Sequence, residues 1–167
     1  ASRKKLRDMG NTVIVVEHDE DMMRAADYII DIGPKAGNNG GKVVFQGTPE
    51  EMLKADTLTS SYLRKEISAA DDSNKKESET SNSGILTLHG CRGNNLKNVT
   101  VEFPLGNLIV VTGVSGSGKS SIVNETLQPV LSHHFYRSLK EPLPYDSIEG
   151  IEKVDKVVSV DQSPIGR

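Results

Sequence analysis

Eight consecutive residues, Gly113-Val114-Ser115-Gly116-Ser117-Gly118-Lys119-Ser120, carry the spacing G-x-x-x-x-G-K-[ST]. Glycines at 113, 116 and 118 free the backbone to turn so that successive N–H groups point inward as an anion-binding nest. Lys119 then reaches the terminal phosphates of a nucleotide, and the hydroxyl of Ser120 is a ligand for Mg²⁺. The chemistry implied is the grip of a nucleoside triphosphate by amides, one ammonium and one metal-bound hydroxyl. A Gly/Ser-rich loop that binds nothing has no need of a Lys and a Ser at these two places.

Such a loop works only between a strand and a helix. The apolar run Leu108-Ile109-Val110-Val111 precedes it, and a helix is predicted over 121–127. The positive end of that helix favours the same anion. A second polar cluster, Glu17-His18-Asp19, closes the β-branched run Thr12-Val13-Ile14-Val15-Val16. That run reads as a strand buried on both faces, and in open α/β sheets ligands lie at the carboxyl ends of strands. From spacing alone, His18 is equally a neighbour of a helix cap at Asp19 and a contact to phosphate. His133 and His134 on a polar stretch, Cys91, and the acid pairs Glu20-Asp21 and Asp71-Asp72 read as solvated or packing residues.

The surrounding elements follow in order. A basic helix over 3–9 stops at Gly10, and its Arg3, Lys4, Lys5 and Arg7 read as a solvated face. A short helix is predicted over 20–26 and strands over 28–32 and 42–46. Thr48-Pro49-Glu50-Glu51 has the form of a capping box with Pro at the first helical position. An amphipathic piece follows over 58–67. Residues 68–84, SAADDSNKKESETSNSG, have almost nothing to bury and read as a flexible linker. Beyond them, 85–89 and 99–103 alternate as strands around an Asn94-Asn95 turn. Residues 133–145 read as a mobile surface segment, and 156–160 as a strand.

The 167 residues carry a net charge of −3, 35% hydrophobic and 4% aromatic content. That balance offers no general attraction to nucleic acid or an acidic membrane. One cysteine excludes an internal disulfide and fits a reducing cytosol, and no apolar run approaches a membrane span. The absent initiator Met and the end at Arg167 suggest a piece of a longer protein.

In this order the residues resemble a known family. Val15-Val16-Glu17-His18-Asp19 is similar to the histidine switch loop of ATP-binding-cassette (ABC) ATPases, and 113–120 to their phosphate loop. More specific are Gly93-Asn94-Asn95-Leu96-Lys97-Asn98-Val99, Asp27-Tyr28-Ile29-Ile30-Asp31-Ile32-Gly33-Pro34, Gly47-Thr48-Pro49-Glu50-Glu51, Tyr145-Asp146-Ser147-Ile148-Glu149-Gly150 and Asp161-Gln162-Ser163-Pro164-Ile165-Gly166-Arg167. Together they resemble the UvrA family, the damage-recognising ATPases of bacterial UvrABC nucleotide excision repair, over nearly the whole chain except 68–84.

The resemblance implies an α/β fold of partial ABC-type modules, each a parallel sheet core, with a small antiparallel β subdomain over 85–103. It implies that 1–67 closes a first ATPase module, 68–84 links, and 85–167 opens a second. His18 would contact the γ-phosphate in the first module's site. Gly113, Gly116, Ser117, Gly118, Lys119, Ser120 and Ser121 would hold ATP in the second, with Ser120 and Gln162 at Mg²⁺ and Gln162 near the attacking water. Damaged double-stranded DNA, a UvrB-like subunit and a second copy of the parent would be its partners, in the cytoplasm and away from membrane. Zinc would belong to parts absent from this chain, which has no Cys pairs. A Leu-Ser-Gly-Gly-type signature and an apolar strand ending in Asp-Glu are also missing, so the chain alone is expected to hydrolyse ATP negligibly, and no aromatic residue for recognising adenine by stacking stands near 88–92. Rival readings are a drug-resistance relative outside repair, a P-loop kinase, for which no arginine-rich lid follows Ser121, and a non-catalytic interaction piece. The two halves either pair into one small sheet around 108–111 or form two separate lobes.

Overall fold

The run 108–111 is apolar at every position because its side chains are shared between two cores. The computed structural model describes residues 2–69 and 83–160. In chain order these form helix α1 (Ser2–Asp8), strand β1 (Val13–Val16), α2 (Glu20–Ala25), β2 (Tyr28–Gly33), β3 (Lys42–Gly47), α3 (Pro49–Lys54), α4 (Leu58–Ala69), β4 (Ile85–Cys91), β5 (Val99–Pro104) and β6 (Leu108–Gly113). After β6 come α5 (Lys119–Ile122), a π-helical turn (Val123–Leu127), α6 (Gln128–Tyr136) and β7 (Ser147–Glu149), with 3-10 turns at Gly37–Asn39 and Ile151–Lys153.

The fold is α/β. One sheet has the order β1-β6-β2-β3, and the other β5-β4-β7. β6 runs parallel to both neighbours, with Val13 to Val16 opposite Leu108 to Val111 on one side and Tyr28 to Ile32 opposite Ile109 to Gly113 on the other. β3 is antiparallel to β2, and the second sheet is antiparallel throughout. Strands from the two sides of residues 70–82 thus share one sheet.

Period-two alternation divides β6 between the layers. Ile109 and Val111 pack with Ile30, Ile32, Ile122, Leu127 and Leu131, and with Leu86, Leu88, Val101 and Phe103 of the second sheet. Leu108 and Val110 pack on the opposite face with Val15, Ile29, Met23, Met52 and Leu63. The phosphate-loop strand therefore sits at the centre of three layers. Its start is pinned as well. Arg7 of α1 donates to both carboxylate oxygens of buried Asp27 at 2.9 Å, and Asp27 Oδ2 accepts from the amide of Leu108 at 2.7 Å. The amide of Asp27 in turn donates to Leu108 O at 2.9 Å. Arg7 is thus not part of a solvated face: its guanidinium is drawn inward by the buried carboxylate of Asp27.

Local caps form where the sequence places them. Asp19 Oδ1 accepts from the amide of Asp21 at 2.9 Å, and Thr48 Oγ1 from that of Glu51 at 3.2 Å, starting α2 and α3. Three expectations change. The helix after the phosphate loop runs from Lys119 to Tyr136 rather than over 121–127, with the π turn inside it. Much of 133–145 is consequently anchored: Tyr136 ends α6, and Leu143, Pro144 and Asp146 make backbone hydrogen bonds to Glu125, Arg92 and His89. Residues 156–160 form no strand; no edge pairs with them, and Val158 and Val160 are exposed. Of the expected linker 68–84, residues 70–82 lie outside the described residues, as do 161–167 with Gln162.

Candidate nucleotide-phosphate site

The carboxyl end of β6 opens directly into the loop 113–118. Gly113 has φ +143°, and a Cβ there would run into Ile32 O of the adjacent strand, so only glycine lets the chain leave the sheet at this point. Gly116 and Gly118 are also left-handed, with φ +78° and +123°. Gly118 is the residue before α5, so the free amides of the first helical turn belong to the same loop.

Gly116, Gly118, Lys119, Ser120 and Ser121 line an open cleft of about 450 Å³, together with Ser115, Asn94 and Asn95. Lys119 Nζ donates to Gly113 O at 2.6 Å, so the ammonium lies folded across the mouth of the loop. Its pKa is lowered, first by burial, while the charges of Asp31 and Glu17 act in the other direction. Asp31, buried on β2 opposite Thr112, is raised to about 6 by burial, against a hydrogen bond from Thr59 and the charge of Lys119. Ser120 Oγ accepts only a long 3.4 Å bond from Asn124 Nδ2. Ser117 Oγ is buried and has no hydrogen-bond partner among the described residues.

Two of these cleft residues are oriented by groups the motif does not contain. Asn94, itself left-handed at φ +51°, donates through Nδ2 to Ser121 Oγ at 2.9 Å and to Glu125 Oε2 at 3.2 Å. Ser121 Oγ donates to the same carboxylate oxygen at 3.4 Å. The Ser121 hydroxyl is thereby turned with a lone pair left for the cleft. The turn signal and the family-like stretch 93–99 single out Asn94 and Asn95, but neither shows these roles, which with that of Glu125 depend on partners 21 to 58 positions away.

His18 stands apart. It is exposed, just after β1, and does not line the cleft. Its neighbour Glu17 continues the strand pairing through its amide to Val111 O at 3.1 Å, which brings the Glu17 charge toward Lys119. Gly113 and Ser117 belong to the loop's frame rather than to the cleft wall.

The donor set fits a triphosphate with Mg²⁺. Turned amides, one ammonium of lowered pKa and the available Ser120 hydroxyl converge on one cleft, and a buried hydroxyl without a partner lies behind them. For a zinc ion the described residues hold no suitable group: no three His, Cys, Asp or Glu side chains come together among them. No helix among the described residues is long and apolar enough to cross a membrane.

No family model matches the chain. Over 169 residues it is 52% identical to UvrABC system protein A of Neisseria meningitidis serogroup A, covering all of this chain and 18% of that protein. UvrABC system protein A of Thermus thermophilus is 52% identical over 165 residues, 98% of this chain and 17% of that one. Among solved structures, UvrA2 from Deinococcus radiodurans is 38% identical with a TM-score of 0.44, over 91% of this chain and 17% of that one. The chain thus spans less than a fifth of the length of the curated relatives it matches. At about half identity along its entire length, the chain belongs to the UvrA family, as the counterpart of that segment.

Proposed function

We propose that the chain supplies a triphosphate-binding part of a UvrA-like DNA-repair ATPase. The observation that carries this reading is the loop 113–121: a glycine turn at the carboxyl end of a central parallel strand, with Lys119 and Ser120 on the wall of one cleft. Lys119 gives up Gly113 O and turns its ammonium onto the terminal phosphate oxygens. The amides of Gly116 and of 118–121 take the remaining phosphate charge. Ser120 holds Mg²⁺, which when bound neutralises charge on the phosphates. Ser121 is held in place by Asn94 and Glu125.

The division into a closing piece of one module (1–67), a linker (68–84) and an opening piece of a second (85–167) belongs to the same proposal. So does the role of His18 at a γ-phosphate and of Gln162 at metal and attacking water. In a protein of the relatives' full length, binding and hydrolysis of ATP would gate recognition of damaged double-stranded DNA and loading of a UvrB-like subunit by a homodimer. This chain, without an Asp-Glu strand or signature of its own, is expected to bind nucleotide weakly and to turn it over negligibly.

Calorimetric titration of the chain with ATP and Mg²⁺ tests the reading. Lys119→Ala removes a charged hydrogen bond to phosphate, and saturable heat should weaken by roughly 10- to 100-fold. Absence of heat with the unaltered chain, or equal affinity in the variant, would refute the proposal.

A further inference from the structure

Nothing in the phosphate-loop motif explains what holds its backbone in the turned shape before any anion arrives. The bare loop is not self-supporting. The peptide C=O groups of Gly116 and Ser117 each need a donor that the motif itself does not contain. The structure supplies those donors from two remote stretches.

Asn95 Nδ2 donates to Gly116 O at 3.2 Å, to Ser117 O at 3.1 Å and to Gly37 O at 2.9 Å, sharing its two hydrogens among three carbonyls. The 3-10 turn at Gly37–Asn39 meets the loop from the same side. The amide of Gly37 donates to Gly116 O at 3.0 Å and that of Gly41 to Ser117 O at 2.8 Å. Lys97 closes the bracket by donating its amide to Gly41 O at 2.9 Å. Gly41 has φ +76°, and a Cβ on it would strike Asn95 O, so the close approach of these two stretches requires glycine there.

The consequence follows from the planar trans peptide. A carbonyl and the next residue's N–H point in opposite directions across the bond. Holding Ser117 O outward therefore aims the N–H of Gly118 inward, and Gly118 lines the cleft. We propose that Asn95 is a positioning residue for phosphate binding. Together with Gly41 it clamps the outer carbonyls of Gly116 and Ser117 and so presets the Gly118 amide as a phosphate donor. Although Asn95 also lines the cleft, its side-chain amide hydrogens are taken up by the loop carbonyls, so it acts through the loop. The inference deepens the triphosphate reading above and rests on it.

The test uses the 167-residue chain, inorganic triphosphate with Mg²⁺ as the probe, and amide NMR well below the melting temperature. In the unaltered chain the Gly118 amide should shift and saturate. In Asn95→Ala the same shift should need about tenfold more triphosphate, the loss of two neutral hydrogen bonds. Gly41→Ala should move it in the same direction, since its Cβ would strike Asn95 O and push the Gly41 amide off Ser117 O. A role confined to stability would lower the melting temperature yet leave the Gly118 response of the folded protein where it was. If the unaltered chain shows no response, the triphosphate reading fails and this inference with it. If the unaltered chain responds and both variants titrate within twofold of it, the inference alone fails. Should the variants not fold, the Asn95 side-chain amide of the unaltered chain decides. Slow solvent exchange of both hydrogens, slower still with triphosphate, supports the clamp, and exchange at the rate of an exposed asparagine overturns it.

Discussion

Lys119 has to remain charged in a place that disfavours charge. Burial lowers its pKa, and the structure offsets this with two carboxylates, Asp31 and Glu17, at the ends of the strands on either side of β6. Asp31 bears the larger consequence. Only 3% exposed, it is raised from 3.8 to about 6, with burial the first cause. A carboxyl group whose folded pKa lies above its unfolded one binds a proton more tightly in the native state. Its contribution is therefore most favourable below about pH 4 and declines as pH rises through 6. Asp31→Asn should remove that cost, on the order of 2–3 kcal/mol at pH 7 to 8, a figure that already includes the attraction to Lys119. The variant should melt above the unaltered chain at pH 7.5, the gap closing toward pH 4. Equal melting temperatures at both pH values would show that Asp31 is not held charged against its surroundings. At this scale legibility was uneven for a clear reason. Lys119, Ser120 and the glycines form a contiguous motif whose chemistry is local. Asp31 reads in the sequence as one polar residue in an apolar strand, and Asn95 as half of a turn, because both take their meaning from contacts made only after the strands have met.

The element that most exceeds its sequence pattern is the helix after the phosphate loop. Pro129 suggests a stop, since it has no N–H to give to the carbonyl of residue 125. The chain accommodates it with the π turn at Val123–Leu127 and then continues into α6, with Pro129 in the first turn of that helix. The carbonyls released by this arrangement are taken up elsewhere. Glu125 O accepts from the amide of Leu143 at 2.8 Å, and Ser121 O from the buried hydroxyl of Thr126 at 2.6 Å. A π turn beside a ligand cleft has a use here. It sets Glu125 where Asn94 and Ser121 meet it, and ties the segment after α6 to the same turn. Thr126→Val keeps the shape but removes the buried hydroxyl that donates to Ser121 O, and should cost about 1–3 kcal/mol in denaturant unfolding. Thr126→Ser, which keeps the hydroxyl, should lose less, and a Val variant as stable as the unaltered chain would show that the bond contributes nothing. By contrast β1, β2, β3 and the caps at Asp19 and Thr48 were legible, since apolar runs and capping boxes are short-range signals. The segment 156–160 has a strand-like pattern, yet a pattern cannot supply the edge a strand must pair with.

Over the whole molecule, the governing fact is that β6 lies between β1 and β2. Its neighbours come from the stretch before residues 70–82 and β6 from the stretch after, so neither stretch holds the four-stranded sheet complete. The first has β1 and the β2–β3 pair with no strand between them. The second has β6 with no partner in its own sheet, exposing Ile109, Val110 and Val111, each fully buried in the whole chain. The phosphate loop is in the same position, since two of its outer carbonyls are held by Gly37 and Gly41 of the first stretch. From sequence, one shared sheet and two separate lobes were both open, because apolar runs show that strands will be buried but not which strand lies beside which. The structure pairs Val13 to Val16 with Leu108 to Val111, and that pairing makes a prediction about folding. Expressed separately, residues 1–69 and 83–167 should each lack a cooperative unfolding transition, because a β6 without neighbours leaves both cores open. Mixed in equal amounts they should associate and regain one transition, along with triphosphate binding. Circular dichroism melts of the two pieces and of their mixture read this directly. If residues 83–167 melt cooperatively alone and bind triphosphate as the full chain does, the phosphate loop needs no support from the first stretch, and the single-sheet account is wrong.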